Sequence, residues 1–173
     1  MDKSLKYVIL FAVTVVLQVF FFDRLTLGVW FAPIIYTSLL ILLPLDTPSA
    51  GALFAGLLTG AVMDLATGMA GLNTIATLAA AYARRPLIEV FGGRDVLRES
   101  AVPSSKSMGR RQFANYLIAM VSLHSALYYT FEILTLANFG RSLLRFAAGT
   151  VSSLAMLWIV SRIFTSKVNV RTL

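Results

Sequence analysis

The stretch "GLLTGAVMDLATG", residues 56–68, has the Gly, Ala, Leu, Val and Met content of a helix lying in hydrocarbon, with one carboxylate, Asp64, set inside it. Ala52, Gly56, Gly60, Asp64 and Gly68 recur at every fourth position. Four residues turn an α-helix by about 400°, so the five drift slowly round a single face. Small residues on one face let another backbone come close, the small-xxx-small packing of membrane helices and a candidate packing or partner interface. An ionised aspartate at mid-bilayer costs roughly 2.5–3.5 kcal/mol, so Asp64 is expected to face a polar partner or water, or to be protonated, rather than to meet lipid.

The bulk composition sets the same frame. Of 173 residues, 58% are hydrophobic and 13% charged, with a mean hydropathy of +0.80; soluble domains carry roughly a quarter charged residues. The chain reads as one all-α integral membrane domain, residues 1–173, with six transmembrane helices over about 5–22, 28–45, 50–67, 72–88, 113–137 and 143–164. The first run has a basic start like a signal peptide. It is longer than one and ends in Phe20, Phe21 and Phe22 where cleavage needs small residues, so it is expected to stay as a helix. The 84–112 stretch is the one long polar segment, read as a cytoplasmic basic loop.

Orientation follows from the cations. Lys3, Lys6, Arg84, Arg85, Arg94, Arg98, Lys106, Arg110, Arg111, Arg162, Lys167 and Arg171 fall on one side of a six-span layout, and Arg24, Arg141 and Arg145 on the other. The positive-inside rule then makes both termini and the 84–112 loop cytoplasmic. The net charge of +7 is read as this loop asymmetry rather than as a nucleic-acid surface. Within the loop, apolar residues from Leu87 to Leu97 interleave with charge between Arg84, Arg85, Arg94 and Arg98 as in an interfacial helix interrupted at Gly92 and Gly93, and Lys106, Arg110 and Arg111 follow, a pattern suited to anionic lipid headgroups or a cytoplasmic partner.

Polar residues inside the spans form the second candidate site. By depth alone, Gln18, Asn73, Glu132 and Arg145 share the outer half with Asp64, and either carboxylate could pair with Arg145. On the fifth span Met120, His124, Tyr128 and Glu132 lie four apart, with Asn115 and Tyr116 nearer the cytoplasm, a face that could relay protons, line a cavity or hydrogen-bond between helices. Enzyme signatures are missing: there is no Cys, one His, and no GxSxG, HExxH or Walker loop. No cofactor or metal is expected.

Residues 42–85, "LLPLDTPSAGALFAGLLTGAVMDLATGMAGLNTIATLAAAYARR", behind a Pro-containing second span, resemble the MreD family of rod shape-determining membrane proteins. The likeness rests on Gly56, Leu57, Gly60, Asp64, Gly68 and Gly71 and on the six-span layout. It implies a non-enzymatic inner-membrane scaffold subunit of the bacterial cell-elongation complex. Such a subunit associates with MreC and, through it, with MreB filaments, the glycosyltransferase RodA and a transpeptidase; a homodimer is left open. The family is similar in fold to the S components of energy-coupling-factor vitamin transporters, which supplies the alternative reading of a substrate-binding carrier. A proton-coupled membrane transporter resting on Asp64, His124 and Glu132 is a third. The S component would dock through small residues on its first helix, where this chain has the bulky "VILFAVTVVLQVFFF".

Overall fold

The structure, a computed structural model, describes residues 3–24, 33–98, 101–135 and 139–169. Helix α1 (Lys3–Leu17) runs into a π-helical turn at Gln18–Phe22. A short α2 (Ser38–Leu42) follows, then α3 (Ser49–Thr67), α4 (Leu72–Gly92), a 3-10 turn at Asp95–Arg98, α5 (Arg110–Thr135) and α6 (Phe139–Asn169). The described residues contain no strand.

Among the described residues, three segments, Leu5–Phe22, Ser49–Thr67 and Leu143–Ser166, are long and apolar enough to cross a membrane. Helices α4 and α5 have 21 and 26 residues, about 31 and 39 Å of rise. They are more polar because Asn73, Thr77 and Arg84, and His124, Ser125 and Glu132, are turned inward.

Around an apolar core, the surface is also apolar and several polar side chains lie inside. Val8, Phe20, Phe54, Val90 and Val151 lie on the surface and Leu65 is 85% exposed, while Thr14, Gln18, Thr59, Asp64, Asn73, Thr77, Glu132 and Ser153 are buried. Water disfavours so apolar a surface; a lipid solvent tolerates apolar side chains outside and requires polar groups to find partners inside.

The second span departs from the sequence reading. A continuous helix over 28–45 was expected; the described part is extended and turn-like from Pro33 to Thr37 and helical only over Ser38–Leu42. Residues 28–32 lie outside the described part. Two prolines account for this. Pro33 has no N–H to give a helix, and Pro44 pushes its predecessor out of the helical region: Leu43 sits at φ −53°, ψ 148°. Every residue from Pro33 to Leu42 is buried. This broken segment passes through the centre of the bundle, against α1, α3 and α6.

The 84–112 region is a loop only in part, its first half being helical as its interleaved apolar residues suggest. Helix α4 continues through Arg84, Arg85 and Pro86 to Gly92, and ends where Gly93 takes φ +86°. Arg85 is exposed and faces Glu89 at 3.6 Å one turn on. Beyond the exposed Arg94 and Lys106, the connection packs back on the bundle: Val102 and Met108 join the core, and Leu45 N–H donates to the Ala101 carbonyl at 2.9 Å. Arg110 and Arg111 are exposed in the first turn of α5; the Arg98 side chain lies outside the described residues.

Candidate functional site

The glycine stripe closes on α4 of the same chain. A Cβ at Gly56 would lie 2.9 Å from Ala81 Cβ and 3.1 Å from the Thr77 carbonyl oxygen. At Gly60 it would overlap Thr77 Oγ1 and Thr74 Cα and stand 2.8 Å from Thr74 N. Ala52, Gly56, Gly60 and Asp64 are all buried. The groove that was a candidate partner surface is thus filled from within. Gly68 has a different part: it is exposed, has φ +69° and ends α3, its N–H donating to the Asp64 carbonyl.

That turn brings the Asp64 side chain under the first turn of α4. Its Oδ1 accepts from Asn73 N at 2.9 Å and Asn73 Nδ2 at 3.0 Å. Its Oδ2 accepts from Thr74 N at 2.9 Å and Thr74 Oγ1 at 2.5 Å. The first N–H groups of a helix have no partner within it, and a side chain at the cap position normally supplies one. Here the cap residue is Gly71, which has no side chain to offer. Asp64 performs the capping from the preceding helix, with its charge at the favourable end of the α4 dipole. Four hydrogen bonds answer why a carboxylate can sit in this stretch.

Asp64→Asn keeps the shape but turns an NH₂ toward donors that need an acceptor. It is expected to destabilise the fold by about 2 kcal/mol, the scale of a charge-assisted bond lost in a buried site. Thermal unfolding in detergent checks this; an unchanged midpoint would remove Asp64 from the capping role.

Asp64 does not meet Arg145. That guanidinium donates through Nη1 to Glu132 Oε1 at 2.9 Å, with the Glu132 side chain buried and that of Arg145 41% exposed. The choice left open by the sequence therefore falls to Glu132.

From Asn73 the network crosses to the broken segment. Tyr36 Oη donates to Asn73 Oδ1 at 2.7 Å and lies 3.1 Å from His124 Nε2. The carboxylate fixes the direction of the chain. Asn73 must present its NH₂ to Asp64 and hence its oxygen to Tyr36, which uses the single phenolic proton. The Tyr36 oxygen is then left to accept from His124, so the proton on that ring sits on Nε2. Nitrogen NMR of labelled His124 should report a protonated Nε2, and Tyr36→Phe should cost about 1–2 kcal/mol by stranding two buried groups. An Nδ1-protonated neutral ring would contradict the assigned order.

Along α5, Met120, His124 and Glu132 are buried and Tyr128 is half-buried, so this face turns inward. The expected series along one helix is nevertheless not a hydrogen-bonded wire: His124 bonds across to Tyr36 and only stacks on Tyr128, with ring centroids 6.4 Å apart. Gln18 sits apart from Asp64. Its Oε1 accepts from Ile35 N at 2.8 Å, and its Nε2 donates to the Pro33 carbonyl at 3.1 Å and Asp23 Oδ1 at 2.7 Å. Ser153 Oγ on α6 accepts from Ile34 N at 2.7 Å.

The other end of the central segment has its own support. Arg84, 1% exposed, donates through Nε to the Leu40 carbonyl at 3.0 Å and through Nη2 to the carbonyls of Leu43 at 2.5 Å and Pro44 at 3.0 Å. Tyr116 Oη donates to the Ile41 carbonyl at 3.2 Å. The sequence pattern puts Arg84 in the basic loop and Tyr116 on the polar face of the fifth span, and gives no sign of Tyr36, Thr74 or Ser153.

At the end of the bundle where α1 and α3 finish and α4 begins, a cavity of about 400 Å³ opens between the helices. Gln18, Asp23, Tyr36, Asn73, Tyr128 and Arg145 are among its lining residues. Among the described residues no group of three His, Cys, Asp or Glu side chains is placed to hold a metal. Comparison of the chain with family models, with curated proteins and with solved structures gives no match.

Proposed function

We propose that this chain is a non-enzymatic scaffold subunit of MreD type in the bacterial inner membrane. In this reading it makes six passes, α2 and its extended approach forming the second, with both termini and the basic 84–112 region cytoplasmic. It binds MreC and, through it, MreB filaments, RodA and a transpeptidase, helping to organise peptidoglycan synthesis and cell shape.

The observation that supports this reading is the full engagement of Asp64. The one feature of the sequence that most resembles an active carboxylate is engaged as a helix cap, holding α3 on α4 through four hydrogen bonds. Buried polar groups committed in this way fix helix order and the shape of an outer surface, which is what a docking subunit requires.

A second reading, the substrate-binding S component, has one observation in its favour, the 400 Å³ cavity. Purification of the tagged full chain in mild detergent separates the two. The scaffold reading expects MreC in fixed proportion. It is overturned if the chain comes with an energy-coupling module instead and takes up a vitamin when the two are reconstituted.

A further inference from the structure

The cavity has a charge pattern and a depth that the scaffold reading does not use. Among the described residues, the charged side chains lining it are two guanidinium groups, Arg24 and Arg145, and one carboxylate, Asp23. Asp23 Oδ1 is engaged by Gln18. Arg145 is held through one Nη by Glu132 and keeps the rest of its fork partly exposed. Tyr128 and Tyr129, each with a phenolic hydroxyl, are also among the lining residues. Guanidinium forks with phenolic donors suit a phosphate, whose oxygens accept several N–H and O–H bonds at once.

Depth narrows the ligand further. The apolar spans of α1, α3 and α6 reach their limits at Phe22, Thr67 and Leu143. Phe22 and Thr67 themselves line the cavity, and Arg145 stands two residues inside the limit of α6. The space therefore lies at the level where hydrocarbon gives way to headgroups. Next in sequence to the lining residues Val19, Phe22 and Arg145 stand exposed apolar side chains, Phe20 and Phe21 in the π-helical turn and Leu143 and Leu144 on α6, against which acyl chains can lie. A volume of about 400 Å³ accommodates a headgroup or a small phosphate ester.

We propose that this cavity binds a phosphate monoester or diester, with Arg24 and Arg145 as its charged contacts. The source is either a phospholipid headgroup of the adjoining leaflet or a free phosphate ester. The inference is independent of the scaffold reading, since it concerns what this chain holds and not what it assembles with.

The test uses the purified full chain in a neutral detergent, with native mass spectrometry and titration calorimetry. The probes are dioctanoyl phosphatidylglycerol, dioctanoylglycerol, which has the chains without the phosphate, and glycerol 3-phosphate, which has the phosphate without the chains. Saturable one-to-one binding of the phospholipid but of neither other probe assigns the lipid headgroup. Binding of glycerol 3-phosphate that competes with the phospholipid assigns a free ester.

Arg24→Gln touches no described internal contact and is expected to weaken binding about tenfold, as loss of one charge-assisted contact does. Because Arg145→Gln alone would strand Glu132, the paired Glu132→Gln and Arg145→Gln variant is used as well, with a similar loss expected. Equal affinity for dioctanoylglycerol, absence of saturable binding, or affinity unchanged in both variants while helicity is retained would overturn the proposal.

Discussion

Gly60→Ala is expected to unfold the α3–α4 pair or to push it apart, lowering stability by about 3 kcal/mol or more. A methyl group normally fits a helix well, and alanine is the better helix former by about 1 kcal/mol. Here the added carbon would meet the backbone of Thr74, and backbone cannot rotate away as a flexible side chain can. Overpacking alone costs about 1–3 kcal/mol. The same displacement also pulls Asn73 and Thr74 off the Asp64 carboxylate, exposing a buried anion. The loss should exceed that of Asp64→Asn, and Gly60→Leu should be worse still. Thermal midpoints of the three variants in one detergent provide the check; a Gly60→Ala protein as stable as the parent would show that the two helices are not in backbone contact. Gly56→Ala should be milder, its tightest neighbour being the Ala81 methyl at 2.9 Å.

Arg84→Ala is the second large effect expected, about 4 kcal/mol. The guanidinium serves the carbonyls of Leu40, Leu43 and Pro44 at once, and each buried carbonyl left without a donor costs about 1–3 kcal/mol. Its charge is also matched by the negative end of α2, the terminus where cations are favoured. Arg84→Lys should recover only part of this, since an ammonium lacks the planar fork that reaches several carbonyls from one position. The measurement is unfolding in detergent with far-ultraviolet circular dichroism; a loss below about 1 kcal/mol would mean that water satisfies these carbonyls. Arg85→Ala, one residue along but exposed, should change little.

What the sequence made legible and what it hid divide along a physical line. Helices α1, α3 and α6 were readable because hydropathy is a property of side chains, and their outer faces are continuous runs of Val, Leu, Ile and Phe. The inward turn of His124 and Glu132 was readable for the same reason, from a four-residue spacing. Partners were legible only in part. Depth alone brought Asn73 to Asp64, but half of the bonds to that carboxylate come from backbone N–H groups of the next helix, and any residue but proline carries an N–H. Arg84 answers to carbonyls, which every residue has, so its place one turn from the end of an apolar run made it look like a loop cation. Tyr36 was hidden in a run otherwise apolar. The break in the second span did leave a trace, Pro33 and Pro44, but the hydropathy between them was high enough to suggest an unbroken helix.

The broken central segment sets an order on the making of this protein. A five-residue helix with proline at both approaches cannot hold itself, and the groups that hold it are remote in the chain: Arg84 lies 44 residues beyond Leu40, Tyr116 lies 75 beyond Ile41, and Ser153 lies 119 beyond Ile34. At a ribosome adding about 5–20 residues per second, residues 33–44 leave the exit tunnel many seconds before their last partner is synthesised. They are without that partner during the interval. A nascent chain stalled before residue 153 should therefore stay open to proteases at this segment, and one released after it should be closed.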